Sequence, residues 1–225
     1  MSQEERTWLG GGQTYVVCAY YTDDYCDQVN ALLASLKEYG LNHHLLRYDT
    51  RGFWEANTGI KPEFLLDCLA RFPHHNIVYL DADAIVRSEP ELFGRIEADI
   101  GICFPPADQG FSHRVLTGTL FLKQGNASRA FVQLWLDEQR RHALHNDQES
   151  FERALDRAPS VRFESLPISY VKIFDKGEEA PVIEHFQASR GKRKFQKIKK
   201  HVRNTALGLL LLTAMLYGII TLVGS

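Results

Sequence analysis

The sequence lacks closely spaced cysteine pairs, an apolar segment near its start and an excess of basic residues over most of its length. Its four cysteines contain no Cys-x-x-Cys pair, and three of them lie in apolar runs. This usage predicts reduced, mostly buried thiols in a reducing compartment and excludes a disulfide-rich secreted scaffold. The first residues, MSQEERTWLGGGQ, contain no hydrophobic stretch, so we expect no secretory signal peptide.

The charge distribution divides the chain into an acidic body and a basic tail segment. Residues 190–203 contain eight of the 26 Lys and Arg residues and none of the 28 acidic residues. The first 189 residues therefore carry 18 basic and 28 acidic side chains. Nucleic-acid binding needs a basic face that neutralises phosphates, so nucleic acid is not an expected partner of this body.

Residues 205–223 form an apolar run of 19 positions without a charge. As a helix this run would be about 28 Å long, close to the hydrocarbon thickness of a bilayer. The basic segment 190–204 precedes it, and Lys and Arg on that flank predict a cytoplasmic N-terminal side. We therefore expect a single-pass C-terminal membrane anchor with the body in the cytoplasm. The alternative is a buried core helix.

Strands and helices alternate along the body of the chain. Short runs rich in β-branched and aromatic residues predict strands at 14–20, 44–48, 76–80, 100–104 and 120–122. Apolar residues at helical spacing predict helices at 26–39, 62–72, 128–139 and 147–155. This alternation predicts an α/β fold with a mostly parallel central sheet flanked by helices, in one domain that covers residues 1–189.

An acidic triplet, Asp81-Ala82-Asp83, directly follows the predicted strand NIVYL. Ligands of open α/β sheets bind beyond the carboxyl ends of the strands. Two carboxylates at such a place repel each other unless a cation or hydrogen-bond donors keep both ionised. A divalent metal supplies that charge and commonly binds a substrate phosphate as well. A solvated turn explains the triplet equally well, so both interpretations remain open at this point.

An apolar strand followed by Asp-x-Asp is also found in haloacid dehalogenase-type phosphatases. In that family the first Asp is a nucleophile and the second is an acid/base. The family usually has Thr or Val two positions after the second Asp, places the motif near the chain start and supplies a later acidic pair. This chain has Ile85 at that position, about 80 residues before the motif and no Asp-Asp pair after it. The phosphatase is retained as the alternative enzyme.

Several short motifs occur in the order typical of metal-dependent nucleotide-sugar glycosyltransferases. They are a Lys-bearing helix start, the Asp-x-Asp strand, a Thr-Gly-Thr strand, an Asp-Gln helix start and a Glu-His segment, at residues 60–64, 78–83, 117–122, 146–149 and 182–186. Over most of residues 14–192 the chain resembles GT-A fold transferases, in particular the retaining galactosyltransferase/glycogenin-like group. It departs from that pattern by lacking the Asn that usually stands in the Thr-Gly-Thr strand.

The resemblance implies a ligand set for the metal and the donor. Asp81, Asp83 and His185 would hold the metal, and mixed oxygen and imidazole ligation favours Mn²⁺, with Mg²⁺ as the alternative. Asp147 and Gln148 would face the donor sugar and are the candidate catalytic residues. The remaining donor-binding candidates are those matching the family's base, ribose, sugar and diphosphate contacts: Tyr20, Thr22, Asp23, Lys61, Arg190 and Lys192.

The function implied by the resemblance is that of a glycosyltransferase of the hexosyltransferase type, which uses a nucleotide-diphospho-sugar donor. Because the predicted anchor places the body at the inner leaflet, the expected acceptor is membrane-associated, a glycolipid or a lipid-linked saccharide. The non-enzymatic alternative is a tail-anchored adaptor with a degenerate transferase body.

Overall fold

The computed structural model describes residues 4–106 and 110–188 of the chain. Within these residues, seven strands form the central sheet, namely β1 Glu5–Trp8, β2 Tyr15–Tyr21, β3 His43–Arg47, β4 Asn76–Leu80, β6 Ile100–Cys103, β7 Leu116–Leu122 and β8 Phe163–Ser165. Three short strands form a second sheet, namely β5 Ala84–Val86, β9 Lys172–Ile173 and β10 Ile183–His185. The α-helices of this part are α1 Cys26–Glu38, α2 Trp54–Thr58, α3 Lys61–Arg71, α4 Asn126–Arg141 and α5 Asp147–Leu155.

The central sheet is mixed, with the strand order β1-β3-β2-β4-β7-β6-β8. Its pairs β3–β2, β2–β4 and β6–β8 are parallel, whereas β1–β3, β4–β7 and β7–β6 are antiparallel. The prediction of a mostly parallel sheet is therefore wrong. The physical reason is that β7 lies between β4 and β6 and runs against both, and antiparallel neighbours need no helical crossover. Hydrophobic patterns locate a strand but do not reveal its direction.

Helices cover both faces of the central sheet, which produces two separate cores. Alternate residues of β2 point to opposite faces. Val17 and Ala19 pack with Leu32 of α1 in one core, whereas Val16 and Cys18 pack in the other with apolar residues of α3 and α4. All four cysteines are free and three of them are buried, as the sequence predicts.

Local sequence signals explain where the two helices at the site begin. α3 has Pro62 in its first turn, where the missing N–H costs no hydrogen bond. α5 begins with a capping box, in which the Asn146 side chain accepts hydrogen bonds from the backbone N–H groups of Gln148 and Glu149. The Glu149 carboxylate in turn accepts from the Asn146 backbone N–H at 3.0 Å. These signals place Lys61 and Asp147 in the first turns of their helices.

The second sheet brings distant parts of the chain together. β5 follows the acidic triplet almost directly, and β10 pairs with it antiparallel so that His185 lies opposite Ala84. β9 pairs with β10 in parallel. These strands have two or three residues each, which is too short for a hydrophobic alternation to be recognised in the sequence. They nevertheless decide where the imidazole of His185 lies.

The compact unit that contains these elements ends at Phe186. Among the residues that the structure describes, no helix is long and apolar enough to cross a membrane. The predicted basic segment 190–204 and the predicted anchor 205–223 lie outside the described residues.

Candidate functional site

β4 ends in a turn that carries the two carboxylates of the acidic triplet. The Asp81 backbone N–H donates to Gly118 O at 2.9 Å, which continues the β4–β7 pairing by one residue. The Ala84 backbone N–H donates to Asp81 O at 2.9 Å and closes the turn. Both Asp81 and Asp83 are half-buried. The turn thus holds two like charges near each other at the carboxyl end of a central strand.

His185 reaches the same turn from the second sheet. Its strand pairs with β5, and the next residue, Phe186, donates its backbone N–H to Asp83 O at 3.3 Å. One ligand atom from each of Asp81, Asp83 and His185 lies within 4.8 Å of the others. The structure therefore brings together the three predicted metal ligands, although about 100 positions separate His185 from the acids in the sequence.

The donor chemistry and the local space both fit a divalent cation. Carboxylate oxygens suit hard divalent ions, and a neutral imidazole binds several divalent transition metals. Gly118 leaves room beside these ligands, since a Cβ there would lie 3.1 Å from His185 Cε1 and 3.3 Å from Asp81 Oδ2. Burial lowers the pKa of His185 despite the opposing charges of Asp81 and Asp83, and the neutral ring is the form that binds metals.

A buried ion pair adjoins the candidate metal-ligand group, which consists of Asp81, Asp83 and His185. Lys61 Nζ lies 2.5 Å from Asp147 Oδ2 and 3.0 Å from Asp81 Oδ1, and it donates to Thr117 O at 3.2 Å. Nζ also stands 4.7 Å from the ring centroid of Tyr79, within the range of a cation–π contact. Burial by itself lowers the pKa of Lys61, but the carboxylates of Asp147 and Asp81 outweigh it, and the pKa is raised above its ordinary value.

Asp147 is fixed from three elements at once. Its Oδ2 contacts Lys61 of α3 and accepts a hydrogen bond from Thr117 Oγ1 of β7 at 2.8 Å. Its backbone carbonyl accepts from the indole N–H of Trp135 in α4 at 3.0 Å. The neighbouring predicted residue, Gln148, is half-buried, and its backbone N–H belongs to the capping box of α5. The structure thus joins Lys61 and Asp147 to the metal-ligand group through Asp81.

The predicted base and ribose contacts lie near the carboxyl end of β2, which runs parallel to β4. Tyr20 is a core residue here: its hydroxyl donates to Asn57 O at 2.9 Å, and burial raises its pKa well above the ordinary value. Thr22 donates its hydroxyl to Asp24 at 2.6 Å. Asp23 is exposed and forms a bidentate ion pair with Arg47 at 2.5 and 2.7 Å. The predicted diphosphate contacts Arg190 and Lys192 lie outside the described residues.

Sequence reasoning missed Tyr79 as a member of the site. Its buried hydroxyl donates to Asp81 Oδ1 at 2.9 Å, the same oxygen that Lys61 contacts. Burial raises the pKa of Tyr79, so the hydroxyl keeps its hydrogen and remains a donor. The signal was in the sequence, because residues two apart on a strand point to the same side. Tyr79 stands two positions before Asp81 in the motif that ends β4.

The sequence matches no family model and no curated protein. Among solved structures, it is similar to a glycosyltransferase involved in the glycosylation of the major capsid of PBCV-1, with 11% identity and a TM-score of 0.61 over 83% of this chain and 99% of that one. It is also similar to the glycosyltransferase GlyE in Streptococcus pneumoniae TIGR4, with 14% identity and a TM-score of 0.53 over 79% of this chain and 55% of that one. These neighbours and the helix-flanked sheet confirm the predicted GT-A fold.

Proposed function

We propose that this chain is a metal-dependent glycosyltransferase that moves a hexose from a nucleotide-diphospho-sugar to an acceptor. The observation that carries the proposal is the meeting of Asp81, Asp83 and His185 at the carboxyl end of β4, in a chain with a glycosyltransferase fold. Such a position is where open α/β sheets bind their ligands. A fold alone does not establish an activity, and the side chains at this place are what support this one.

In the proposed reaction the anomeric C–O bond breaks and its electron pair stays on the leaving diphosphate oxygen. A new bond forms from the anomeric carbon to an acceptor hydroxyl oxygen, whose proton passes to the leaving diphosphate. Asp81, Asp83 and His185 would hold Mn²⁺, with Mg²⁺ as the alternative. The bound cation supplies Lewis-acid stabilisation of the charge that develops on the leaving diphosphate. The chain itself contributes a preorganised, buried cation next to this position, the ammonium group of Lys61.

Lys61 and Asp147 are suited to orienting a sugar. A carboxylate accepts several hydrogen bonds, so Asp147 can still accept from a sugar hydroxyl beyond its contacts with Lys61 and Thr117. The ammonium group of Lys61 directs its three hydrogens to Asp147, Asp81 and Thr117 O and so holds this acceptor in place. The geometry of the pair is set by α3, α5 and β7 before any ligand binds. We assign donor-sugar orientation to Asp147 and Gln148, with Lys61 beside them, and binding of the diphosphate to Arg190 and Lys192. Contacts that hold the donor in its reactive orientation lower the activation free energy, because less translational and rotational entropy is lost on reaching the transition state.

The proposed acceptor is a glycolipid or a lipid-linked saccharide at the cytoplasmic face of a membrane. The support is the sequence of the tail, in which an uncharged run at 205–223 follows a basic segment. Full-length protein should remain with membranes after carbonate extraction, whereas a chain that ends at residue 189 should not. Release of the full-length protein by salt or carbonate would contradict the anchor without affecting the proposed chemistry.

Neither alternative function is favoured by the site. The neighbours of the fold are glycosyltransferases, and an imidazole shares the acidic turn with both carboxylates. A phosphatase would hydrolyse simple phosphomonoesters, which the proposed transferase should ignore. A degenerate adaptor would bind no donor at all. An assay of phosphomonoester hydrolysis therefore identifies the phosphatase, and an assay of donor binding identifies the adaptor.

The test is a thermal-unfolding screen of nucleotide-diphospho-sugars with and without Mn²⁺. A ligand that binds only the native state raises its stability, by about 2.7 kcal/mol at a concentration one hundred times the Kd. We expect one donor to raise the Tm when Mn²⁺ is present and to lose most of this effect in excess chelator. No shift with any donor would favour the adaptor, and full transfer activity in chelator would contradict the metal dependence.

A further inference from the structure

The hydroxyl of Thr119 lies between the imidazole of His185 and a backbone carbonyl. Thr119 Oγ1 is 2.8 Å from Tyr170 O and 2.9 Å from His185 Nε2, and the threonine is completely buried. A threonine hydroxyl has one hydrogen to donate and lone pairs that accept. A carbonyl oxygen only accepts, so the short contact with Tyr170 O requires the hydroxyl hydrogen to point there.

This arrangement determines which nitrogen of His185 carries a hydrogen. With its hydrogen given to Tyr170 O, Thr119 Oγ1 faces Nε2 with a lone pair. The 2.9 Å contact is a hydrogen bond only when Nε2 donates; otherwise two lone pairs would face each other in a buried place. Nε2 therefore carries a hydrogen whether the ring is neutral or charged. Nδ1 is the only ring nitrogen that can offer a lone pair to a metal.

Nδ1 also lies on the side of the carboxylates. A Cβ at Gly118 would stand 3.2 Å from His185 Nδ1 and 3.3 Å from Asp81 Oδ2, so both atoms border the space that this glycine leaves open. Gly118 and Thr119 are consecutive residues of β7. One strand thus provides the open space next to the ligand atoms and the hydrogen-bond acceptor behind the imidazole.

We propose that Thr119 is a positioning residue that holds His185 in the Nε2–H form and thereby assigns metal binding to Nδ1. The ligation half of this inference rests on the proposed function, whereas the tautomer half does not. Metal-binding histidines generally donate their second ring N–H to an acceptor, and this outer contact fixes both the tautomer and the ring orientation. Here a side-chain hydroxyl takes that role and passes its own hydrogen on to Tyr170 O.

Two substitutions separate positioning from packing. Thr119→Val keeps the shape of the side chain and removes the hydroxyl, whereas Thr119→Ser keeps the hydroxyl and removes a methyl group. If Thr119 only filled space, valine would be the better replacement. If Thr119 positions His185, Thr119→Val should lose the single tautomer and the Mn²⁺ affinity, and Thr119→Ser should keep both.

The first measurement is long-range ¹H–¹⁵N NMR of the imidazoles in the metal-free full-length chain, with His185 assigned by its loss in His185→Gln. We expect the Nε2–H form in the wild type and in Thr119→Ser, and a mixture of tautomers in Thr119→Val. The second measurement is Mn²⁺ binding, followed by the electron paramagnetic resonance of free Mn²⁺. We expect about a 10- to 100-fold loss of affinity in Thr119→Val and a change within about threefold in Thr119→Ser.

The outcomes separate this inference from the proposed function. An Nδ1–H form in the wild type, or an unchanged tautomer and affinity in Thr119→Val, would overturn the role of Thr119. A second result is a wild type that has the Nε2–H form of His185 but binds no Mn²⁺, with or without a nucleotide-diphospho-sugar. It would support the role of Thr119 in fixing the tautomer. It would overturn both metal binding by Nδ1 and the metal dependence of the proposed function. If Thr119→Val fails to fold, the tautomer of His185 in the wild type and in Thr119→Ser still tests the role of Thr119. An Nδ1–H form in either protein would overturn that role.

Discussion

The two sides of the candidate site deal with negative charge in opposite ways. On the buried side, the Asp147 carboxylate is 8% exposed and is compensated by Lys61 at 2.5 Å and by the hydroxyl of Thr117. On the open side, Asp81 and Asp83 lie together at the end of β4, and the Asp81 side chain is 40% exposed. Where water is excluded the protein supplies its own cation. Where solvent reaches the carboxylates, an external cation can enter.

Asp81 links the two sides, since its Oδ1 contacts Lys61 Nζ while its turn faces His185. Lys61 forms ion pairs with two of the three carboxylates. Removing one partner of a buried pair leaves an uncompensated charge, which is costly, whereas removing a half-exposed carboxylate leaves little strain behind. The comparison therefore predicts that substitutions on the buried side mainly change stability and that those on the open side mainly change ligand binding.

The largest expected effect is that of Lys61→Met on the buried side. It leaves the Asp147 carboxylate without its cation and should lower the free energy of unfolding by about 3–5 kcal/mol, as measured by urea denaturation. The double variant Lys61→Met with Asp147→Leu replaces the pair by apolar side chains and should recover most of the loss. Equal stability of Lys61→Met and the wild type would show that the buried carboxylate of Asp147 does not depend on this cation.

On the open side, Asp83→Asn should separate binding from stability. The amide keeps the shape but loses the charge, and we expect Mn²⁺ affinity and metal-dependent transfer to fall by at least about 100-fold, the upper end of what losing an outer-shell contact costs. The free energy of unfolding should stay within about 0.5 kcal/mol of the wild type. Titration of Mn²⁺ and urea denaturation of the same samples measure both quantities. A destabilised variant with unchanged affinity would reverse the assignment.

The stability of the fold should fall at both low and high pH, because the buried imidazoles oppose folding when they become protonated and Lys61 loses its ion pairs when it becomes deprotonated. Burial lowers the pKa of His185, His43 and His44, that of His44 to about 4. The unfolded chain therefore binds more protons below about pH 6.5, and stability falls as the pH drops. The raised pKa of Lys61 makes its contribution fully present below about 10.5, and this contribution is lost as the pH rises through the folded value.

For His44 alone, the shift corresponds to about 2 kcal/mol lost between pH 7 and pH 5. Urea denaturation at the two values measures the loss. His44→Phe is the matched control, since the ring is stacked on Phe64 and its Nδ1 contacts the exposed Thr7. Between pH 7 and pH 5, the free energy of unfolding of this variant should fall by about 2 kcal/mol less than that of the wild type. A pH dependence identical to that of the wild type would show that His44 titrates normally in the folded chain.

The smallest expected effect is that of Gly118→Ala. Its Cβ would press on His185 and Asp81 from 3.1 to 3.3 Å, so we expect about a tenfold loss of Mn²⁺ affinity, equivalent to about 1.4 kcal/mol of crowding. Gly94→Ala is the control, because a Cβ there meets nothing within 4 Å. Equal Mn²⁺ affinity in the two variants would show that the space beside Gly118 is not part of the binding site.

Local patterns predicted most of the individual elements. The strand β4 and the helix α5 have the predicted bounds, because an apolar run ending in an acid and a capping box are each complete within a few residues. The short strands β5, β8, β9 and β10, the edge strand β1 and the five-residue helix α2 were not predicted. Elements this short have too few side chains to show a period, and their pairing with distant segments stabilises them.

Local sequence alone accounts for the strand–helix alternation, the place of Asp81 and Asp83 after β4, and the helix starts that carry Lys61 and Asp147. These features depend on spacings of two to four residues, which are properties of the chain alone. Long-range packing sets the direction of β7, the ion pair between Lys61 and Asp147, and the position of His185 beside the acids. Each depends on which distant segments pair, and pairing follows from the packing of the whole core.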